Sequence, residues 1–529
     1  MKGFKLLLLV LTAFCACFEA SAAAAENVLR WTSATEALTF DPHAAAHIPT
    51  QVETSQVYEP LVDFSSTYAI EPSLAVAWRL IEPTIWQFDL RQGVRFHDGT
   101  PFTSEDVVFS LNRAMADTSD YGEFVSSISS VDAINDHTVR ITTGAPNPIL
   151  PDQLGQIGIM PKRWSEQHDA VLPAAYDDET ETYAERRANG TGPFKLVSFE
   201  PGVGAVMERN PDWWDLDQNP HNLDGIVHTV IKDPEQRLQA LLSGEVDLLS
   251  DPRFDHLDQI EGMPGLKVQK ANENRAISLG LDQGSQELRS SNIEGRNPFA
   301  DRRVRQAIYQ AIDEETIADK LMLGFAIPAG MIIQPGITGY APELDTRLPH
   351  DPEAAKALLA AAGYSDGFEV TLDCPNDRYV NDEEICRAVA AMLGEVGIRV
   401  TVAARPMRTH LPRIEGRETD FYMFGWGTGT YDSLETFSYL VRSDAVFNGT
   451  GYANPEIDDL IEAIETELTT YTRDFMIEQV WKAVRDDIVY VPLHHQVIVW
   501  AMRDQLEIPV DSQNWPRFRL ARLNPAKVD

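Results

Sequence analysis

The 529-residue chain predicts an α/β protein in two or three lobes, with mixed sheets covered by helices. Two observations carry this. Amphipathic helices with recognisable caps alternate with strands along the whole chain, the pattern that yields layered sheets and helices. A chain this long also exceeds what one hydrophobic core usually serves. The apolar fraction of 43% and charged fraction of 24% are those of an ordinary globular protein.

The first element is a targeting segment. Lys2 and Lys5 precede an apolar run over residues 6–18, and Ala20-Ser21-Ala22 offers the small residues that a signal peptidase cleaves. The run is too short to span a membrane, so residues 1–25 are expected to be a signal peptide, with the mature chain starting between Ala23 and Glu26. Cys15 and Cys17 invite a lipoprotein reading. Phe14 stands against it: it precedes Cys15, where a small residue is wanted, and lies three before Cys17, where leucine is wanted. Soluble export to the periplasm is the expectation.

Among the strands, residues 84–90 alternate apolar Trp86, Phe88 and Leu90 with polar neighbours, so these three mark a buried face. Thr103 caps the next helix, with Asp106 in the capping-box position and Val107, Val108 and Leu111 facing inward. At Asp233-Pro234-Glu235 an N-cap carboxylate precedes proline at the first helical position. Leu238, Leu241 and Leu242 form that helix's stripe, Gly244 stops it, and residues 246–249 read as a short strand. Asp351-Pro352-Glu353 repeats the device, with Leu358, Leu359 and Ala362 buried and Gly363 as terminator. Strands near Val370 and Val400 then flank a helix around residues 388–393, a strand–helix–strand unit.

The charge excludes some partners. Against 44 basic residues stand 81 acidic ones, a formal net charge of −37. That repels nucleic acid and anionic lipid, and it also suits a saline habitat. With the signal removed, Cys374 and Cys386 remain, in a compartment that permits disulfides. Cys374 ends a strand and Cys386 lies in the following helix, so a short connection brings them within bonding range. A disulfide is expected in preference to two buried free thiols.

Motifs for catalysis fail on context. Gly363-Tyr364-Ser365-Asp366-Gly367 matches the nucleophile elbow, but that motif needs a strand before the serine and a helix after it, and here the order is reversed. His97-Asp98-Gly99-Thr100 reads as a turn. His494 and His495 are adjacent in a strand and point to opposite faces, so they do not chelate one ion. No catalytic residue, metal ligand or cofactor is assigned. The run from Phe421 to Asp432 is different: a buried strand ends in a glycine-rich turn displaying Trp426 and Tyr431. Glycines admit a ligand closely and aromatics give it flat apolar walls, although a purely structural loop has the same composition.

In this order the chain also carries Tyr58-Glu59-Pro60-Leu61-Val62, a block from Leu90 through Phe96-His97-Asp98-Gly99-Thr100 to Leu111, Gly190-Thr191-Gly192-Pro193-Phe194, Asn210-Pro211-Asp212-Trp213-Trp214, Gly244-Glu245-Val246-Asp247, Val304-Arg305-Gln306-Ala307-Ile308 and Asn454-Pro455-Glu456-Ile457-Asp458. These blocks resemble the peptide/nickel family of ABC-transporter solute-binding proteins, over nearly all the mature sequence. The resemblance implies a two-lobed periplasmic-binding-protein clamp with an extra subdomain. Lobe one would comprise residues 26–61, 190–271 and 500–529, the subdomain 62–189, and lobe two 272–499. A peptide or peptide-like solute would lie between the lobes of a monomer, for delivery to an ABC permease in the inner membrane. Alternatives are a metal chelate or amino-acid conjugate in the same fold, or a secreted hydrolase lacking any visible catalytic pair.

The resemblance also implies site residues. In peptide binders of the family an aspartate three residues after the loop tryptophan neutralises the ligand's ammonium; here that position is Gly429, and Asp432 lies three further on. An arginine before the helix of the strand–helix unit holds the ligand carboxylate, and Arg378 stands there. The expected binding set is therefore Arg378, Trp426, Gly427, Thr428, Gly429, Tyr431 and Asp432, with weak recognition of a free amine.

Overall fold

The computed structural model describes residues 27–174, 181–510 and 512–525. The signal peptide, its cleavage site, Cys15 and Cys17 lie outside the described residues.

Among the described residues, eleven strands form one sheet. In chain order these are β1 (Val28–Ser33), β2 (Phe194–Glu200), β3 (Gly204–Arg209), β4 (Gly225–Val230), β5 (Leu248–Leu249), β6 (Leu266–Leu281), β7 (Ala326–Pro328), β8 (Phe368–Pro375), β9 (Ile398–Arg405), β10 (Phe421–Trp426) and β11 (Tyr490–Arg503). Their spatial order is β9-β8-β10-β6-β11-β5-β1-β4-β3-β2, with β7 also on β11. The two long strands are the key to the architecture. β6 and β11 run antiparallel, and β11 is buried along nearly its whole length, as its apolar run Val497–Met502 requires. At one end of the pair β6 residues 276–281 carry β10, while at the other β5 joins β11 at Ala501 and Met502. Each half of the sheet therefore belongs to a different lobe, and β6 and β11 connect them. Their register breaks between Asn272 and Ala276, where a bulge of Glu273, Asn274 and Arg275 interrupts the ladder midway.

Each lobe has its own core. One gathers Leu29, Trp31, Phe194 and Trp500, the other Leu279, Phe368, Leu372 and Val389. A separate four-stranded antiparallel sheet, 75–82, 85–90, 138–143 and 128–135 in spatial order, packs Phe88, Val139 and Ile141 against Val107 and Leu111. It forms the extra subdomain of the first lobe. A further cluster crosses between the lobes, joining Phe64, Tyr68 and Ile149 to Tyr431, Phe437 and Trp481.

The caps form as the sequence predicts. Asp233 and Asp351 accept from Gln236 N and Ala354 N, each at 2.9 Å, and Thr103 and Asp106 form a capping box. The stripes are narrower than expected. Val108, Leu242, Leu358 and Ala362 are only half-buried, because each sits at the edge of a face whose centre is filled by Val107, Leu241 or Leu359. Trp86 is half-buried too, with its indole N–H donating to Asn147 O at 3.1 Å. The strand expected over residues 246–249 shortens to β5, since Asp247 turns its carboxylate onto Arg30. Ser365 is exposed in the turn between helix Pro352–Ala361 and β8.

The recurrent sequence blocks converge in space. The buried Glu59 carboxylate accepts from Thr191 Oγ1 at 2.6 Å, Trp213 Nε1 at 2.9 Å and Trp214 Nε1 at 2.8 Å. His97 Nε2 meets Gly192 O at 3.0 Å, and Asp98 Oδ1 accepts from Thr100 N in a turn whose Gly99 has φ +84°. These residues hold the first lobe together.

Candidate functional site

A cavity of about 410 Å³ lies between the lobes, where the β6 bulge, two loops of the second lobe and the first lobe meet. The first lobe supplies Ile48, Gln51, Phe124, Gln156 and, from the C-terminal segment, Gln513 and Trp515. A second cleft of about 800 Å³ adjoins it between the subdomain and the second lobe, sharing Glu123 and Phe124 with the first.

The aromatic-glycine loop leaves β10 at Trp426, whose half-buried ring sits among Phe424, Tyr439 and Phe447 while its Nε1 donates to Thr436 Oγ1 at 3.1 Å. A Cβ on Gly427 would come within 2.0 Å of Asn274 O. That glycine is therefore required by the approach of the bulge. Asn274 Nδ2 donates to Thr428 O at 2.6 Å, pinning loop to bulge. Glu435 accepts from Gly429 N at 2.9 Å and from Thr430 N at 2.7 Å; burial pushes its carboxyl pKa up, against the pull of those donors. From the first lobe, Gln156 Nε2 donates to Gly429 O at 2.7 Å, so this loop already touches both halves.

Two expected roles change. Asp432 is buried, caps helix Ser433–Thr436 and gives both carboxylate oxygens to Arg473, so it is not an ammonium anchor in the cavity. The loop turns inward before it because Tyr431 adopts φ +55°. The Tyr431 ring stacks on Tyr68 with centroids 4.6 Å apart and meets Phe64 edge-on at 4.5 Å. It borders the cavity, but its faces are engaged by the first lobe. Arg378, Trp426, Gly427, Thr428 and Gly429 all line the cavity.

Arg378 lies in the connection after β8, exposed along the cavity wall. The protein around its guanidinium, and then the charge of Arg275, lower its pKa. Arg275 itself was not signalled by any motif. Its Nε lies 3.2 Å from Glu273 Oε1, and Glu273 also takes Gln496 Nε2 of β11 at 2.5 Å. Burial lowers the Arg275 pKa, but Glu273 and Tyr379 outweigh it and the net shift is upward. The guanidiniums of Arg275 and Arg378 lie 5.8 and 6.0 Å from the centroid of the Tyr379 ring. The Tyr379 hydroxyl is fixed in turn: it accepts from Gly425 N at 2.9 Å and donates to Gly425 O at 3.2 Å. One wall thus presents two guanidiniums, with the Glu273 carboxylate on Arg275 and the Glu273 and Asp377 charges acting on Arg378. A planar cation with paired donors is suited to a carboxylate. The signal for Arg275 was present as Glu273-Asn274-Arg275, a charged interruption in an otherwise strand-like stretch.

Cys374 and Cys386 are bonded, with Cα atoms 6.5 Å apart. His494 and His495 face apart: Glu314 receives one at 2.8 Å and Asp345 the other at 3.0 Å. Among the described residues no three His, Cys, Asp or Glu side chains group as a metal site, and no helix is long and apolar enough to cross a membrane.

Residues 69–448 match the model of the bacterial extracellular solute-binding proteins, family 5, middle region. Heme-binding protein A of Haemophilus influenzae is 26% identical over 473 residues, 84% of this chain and 82% of that protein. Glutathione-binding protein GsiB of Escherichia coli is 25% identical over 449 residues, 81% of each. Among solved structures, the periplasmic binding protein DppA of Helicobacter pylori, in complex with the peptide STSA, has a TM-score of 0.74 at 25% identity. That likeness covers 94% of this chain and 98% of DppA.

Proposed function

The chain belongs to the bacterial extracellular solute-binding proteins of family 5 and is the solute-binding component of an ABC importer, and on that footing we propose that its solute is a peptide or peptide-like molecule held through a carboxylate. The observation that carries this reading is the wall where Arg275 and Arg378 converge on Tyr379, with Glu273 paired to Arg275. An anionic group entering there gains charge-assisted hydrogen bonds from guanidiniums that face the cavity. Trp426 supplies an adjoining apolar wall. With Asp432 committed to Arg473 and glycine at position 429, a free α-amine finds no dedicated carboxylate on this loop, so its recognition is weak.

The division into lobe one (residues 26–61, 190–271 and 500–529), subdomain (62–189) and lobe two (272–499) is supported by the register break at residues 272–276, where β6 and β11 cross the boundary. On this reading the bulge is the hinge. Ligand bridging Arg378 of lobe two and Gln51 of lobe one stabilises the closed state differentially, and an inner-membrane permease receives that state. The protein is exported, processed between Ala23 and Glu26, and works as a monomer that binds rather than transforms its solute.

Mass spectrometry of the small molecule that co-purifies in the cleft tests the reading directly. Calorimetry with dipeptides bearing free or acetylated amino termini tests the second half. Strong loss of affinity on acetylation would overturn the amine claim, and a co-purified solute lacking any anionic group would overturn the carboxylate one.

A further inference from the structure

The disulfide brackets the segment that carries Arg378. β8 ends at Pro375 and helix Asp382–Glu395 begins seven residues later; Cys374 and Cys386 lie on either side, 12 residues apart and fully buried. The helix does not need the bond to stay on the sheet, because Ile385, Val389 and Leu393 already bury its apolar face. The bond acts where burial cannot, on a connection whose residues 376–378 are exposed.

Other ties act on the same few residues. Asp382 Oδ2 accepts the backbone N–H of both Arg378 and Tyr379, each at 3.1 Å, while its Oδ1 accepts Glu383 N at 3.0 Å. Asn381 takes φ +54°, a conformation asparagine tolerates, and its side chain donates to Leu321 O at 2.7 Å. Tyr379 is locked onto Gly425 through its hydroxyl. One buried carboxylate and one covalent bond thus orient the backbone from which the Arg378 side chain departs.

We propose that Asp382 and the Cys374–Cys386 bond are positioning residues for the carboxylate anchor, holding the Arg378–Tyr379 segment in its binding geometry before ligand arrives. This rests on the reading of Arg378 as that anchor. The physical gain is preorganisation: a segment ordered by folding does not lose its conformational freedom again on binding. A merely structural disulfide would lower stability when opened and leave ligand discrimination unchanged.

The probes are L-alanyl-L-alanine and its C-terminal amide, whose affinity ratio reads the carboxylate contact alone. Calorimetry would compare wild type, Asp382→Ala, Asp382→Asn and the Cys374→Ser/Cys386→Ser pair, with hydrogen exchange at the Arg378 and Tyr379 amides as the second readout. Wild type is expected to prefer the acid at least tenfold. Asp382→Ala and the double serine variant are expected to bring that ratio close to one and to speed exchange of both amides by about tenfold or more. Asp382→Asn, which keeps one acceptor oxygen, is expected to recover part of the ratio. If the double serine variant fails to fold, the Cys374→Ala/Cys386→Ala pair, which opens the bond without burying hydroxyls at these fully buried positions, provides the same comparison. A ratio that survives opening the bond and removing Asp382 overturns the positioning role alone. A wild-type protein that does not distinguish acid from amide overturns the Arg378 anchor, and the positioning role with it.

Discussion

Asp432 and Arg473 form a buried bidentate pair, with Arg473 Nη2 and Nη1 at 2.7 and 2.8 Å from the two carboxylate oxygens. Trp426 and Asp432 are six positions apart, yet one opens onto the cavity and the other closes into the second lobe's core. Asp432→Ala leaves Arg473 buried without its partner and removes a helix cap. Breaking such a pair costs about 3–5 kcal/mol. Urea denaturation is expected to show a loss of that order, and affinity for ligand should change little in the protein that remains folded.

Arg378 gives the opposite result. It borders the cavity, and among the described residues no carboxylate lies within salt-bridge distance of it. Arg378→Ala is expected to leave the unfolding midpoint nearly unchanged and to weaken binding of a carboxylate-bearing peptide by about 2–5 kcal/mol. Calorimetry on the same protein preparation reads both the affinity and, through temperature scans, the stability.

Asp152 introduces a pH dependence. It comes from helix Leu150–Leu154 of the subdomain and approaches the Asp432–Arg473 pair of the other lobe. Burial first, and then the Asp432 charge, raise its pKa to about 7 against the pull of Arg473. A raised carboxyl means that the unfolded chain loses this proton more readily, at about pH 4. The favourable contribution is therefore intact below about pH 4 and declines as pH rises toward about 7. Asp152→Asn removes that decline, so the stability of the variant relative to wild type should grow between pH 5 and pH 8. A constant difference across that range would contradict the assignment.

The Cys374–Cys386 bond closes a short ring. In the chain-entropy model such a ring stabilises by roughly 3 kcal/mol. Intact mass should rise by about two hydrogens on reduction, since a disulfide takes up two hydrogens when it opens. The double serine variant should unfold at lower denaturant by a corresponding amount.

Gly427 makes a narrower prediction. Because an added Cβ would run into Asn274 O at 2.0 Å, Gly427→Ala must displace the loop or the bulge. Overpacking of this kind costs about 1–3 kcal/mol. The variant should also lose affinity, because loop and bulge both border the cavity.

What the sequence determined by itself was local. Asp233, Asp351 and Thr103 cap helices because a side-chain oxygen beside free backbone N–H groups acts within one turn, whatever the rest of the chain does. The reversed order around Ser365 and the opposite facing of His494 and His495 are equally short-range and are seen in the fold. The alternation over residues 84–90 holds only in part: Phe88 and Leu90 are buried, Trp86 is half-buried and the polar Gln87 is buried. Tertiary structure alone decided the site. Asp432 turned inward because Tyr431 takes a left-handed conformation and finds Tyr68 and Phe64, residues more than 360 positions away, on the other side. Arg275 came to line the cavity because a register break in β6 brings it beside Tyr379, more than 100 positions downstream. A charge or a ring acquires its role from what it meets at a few ångströms, and across hundreds of residues that meeting is made only by the packed lobes.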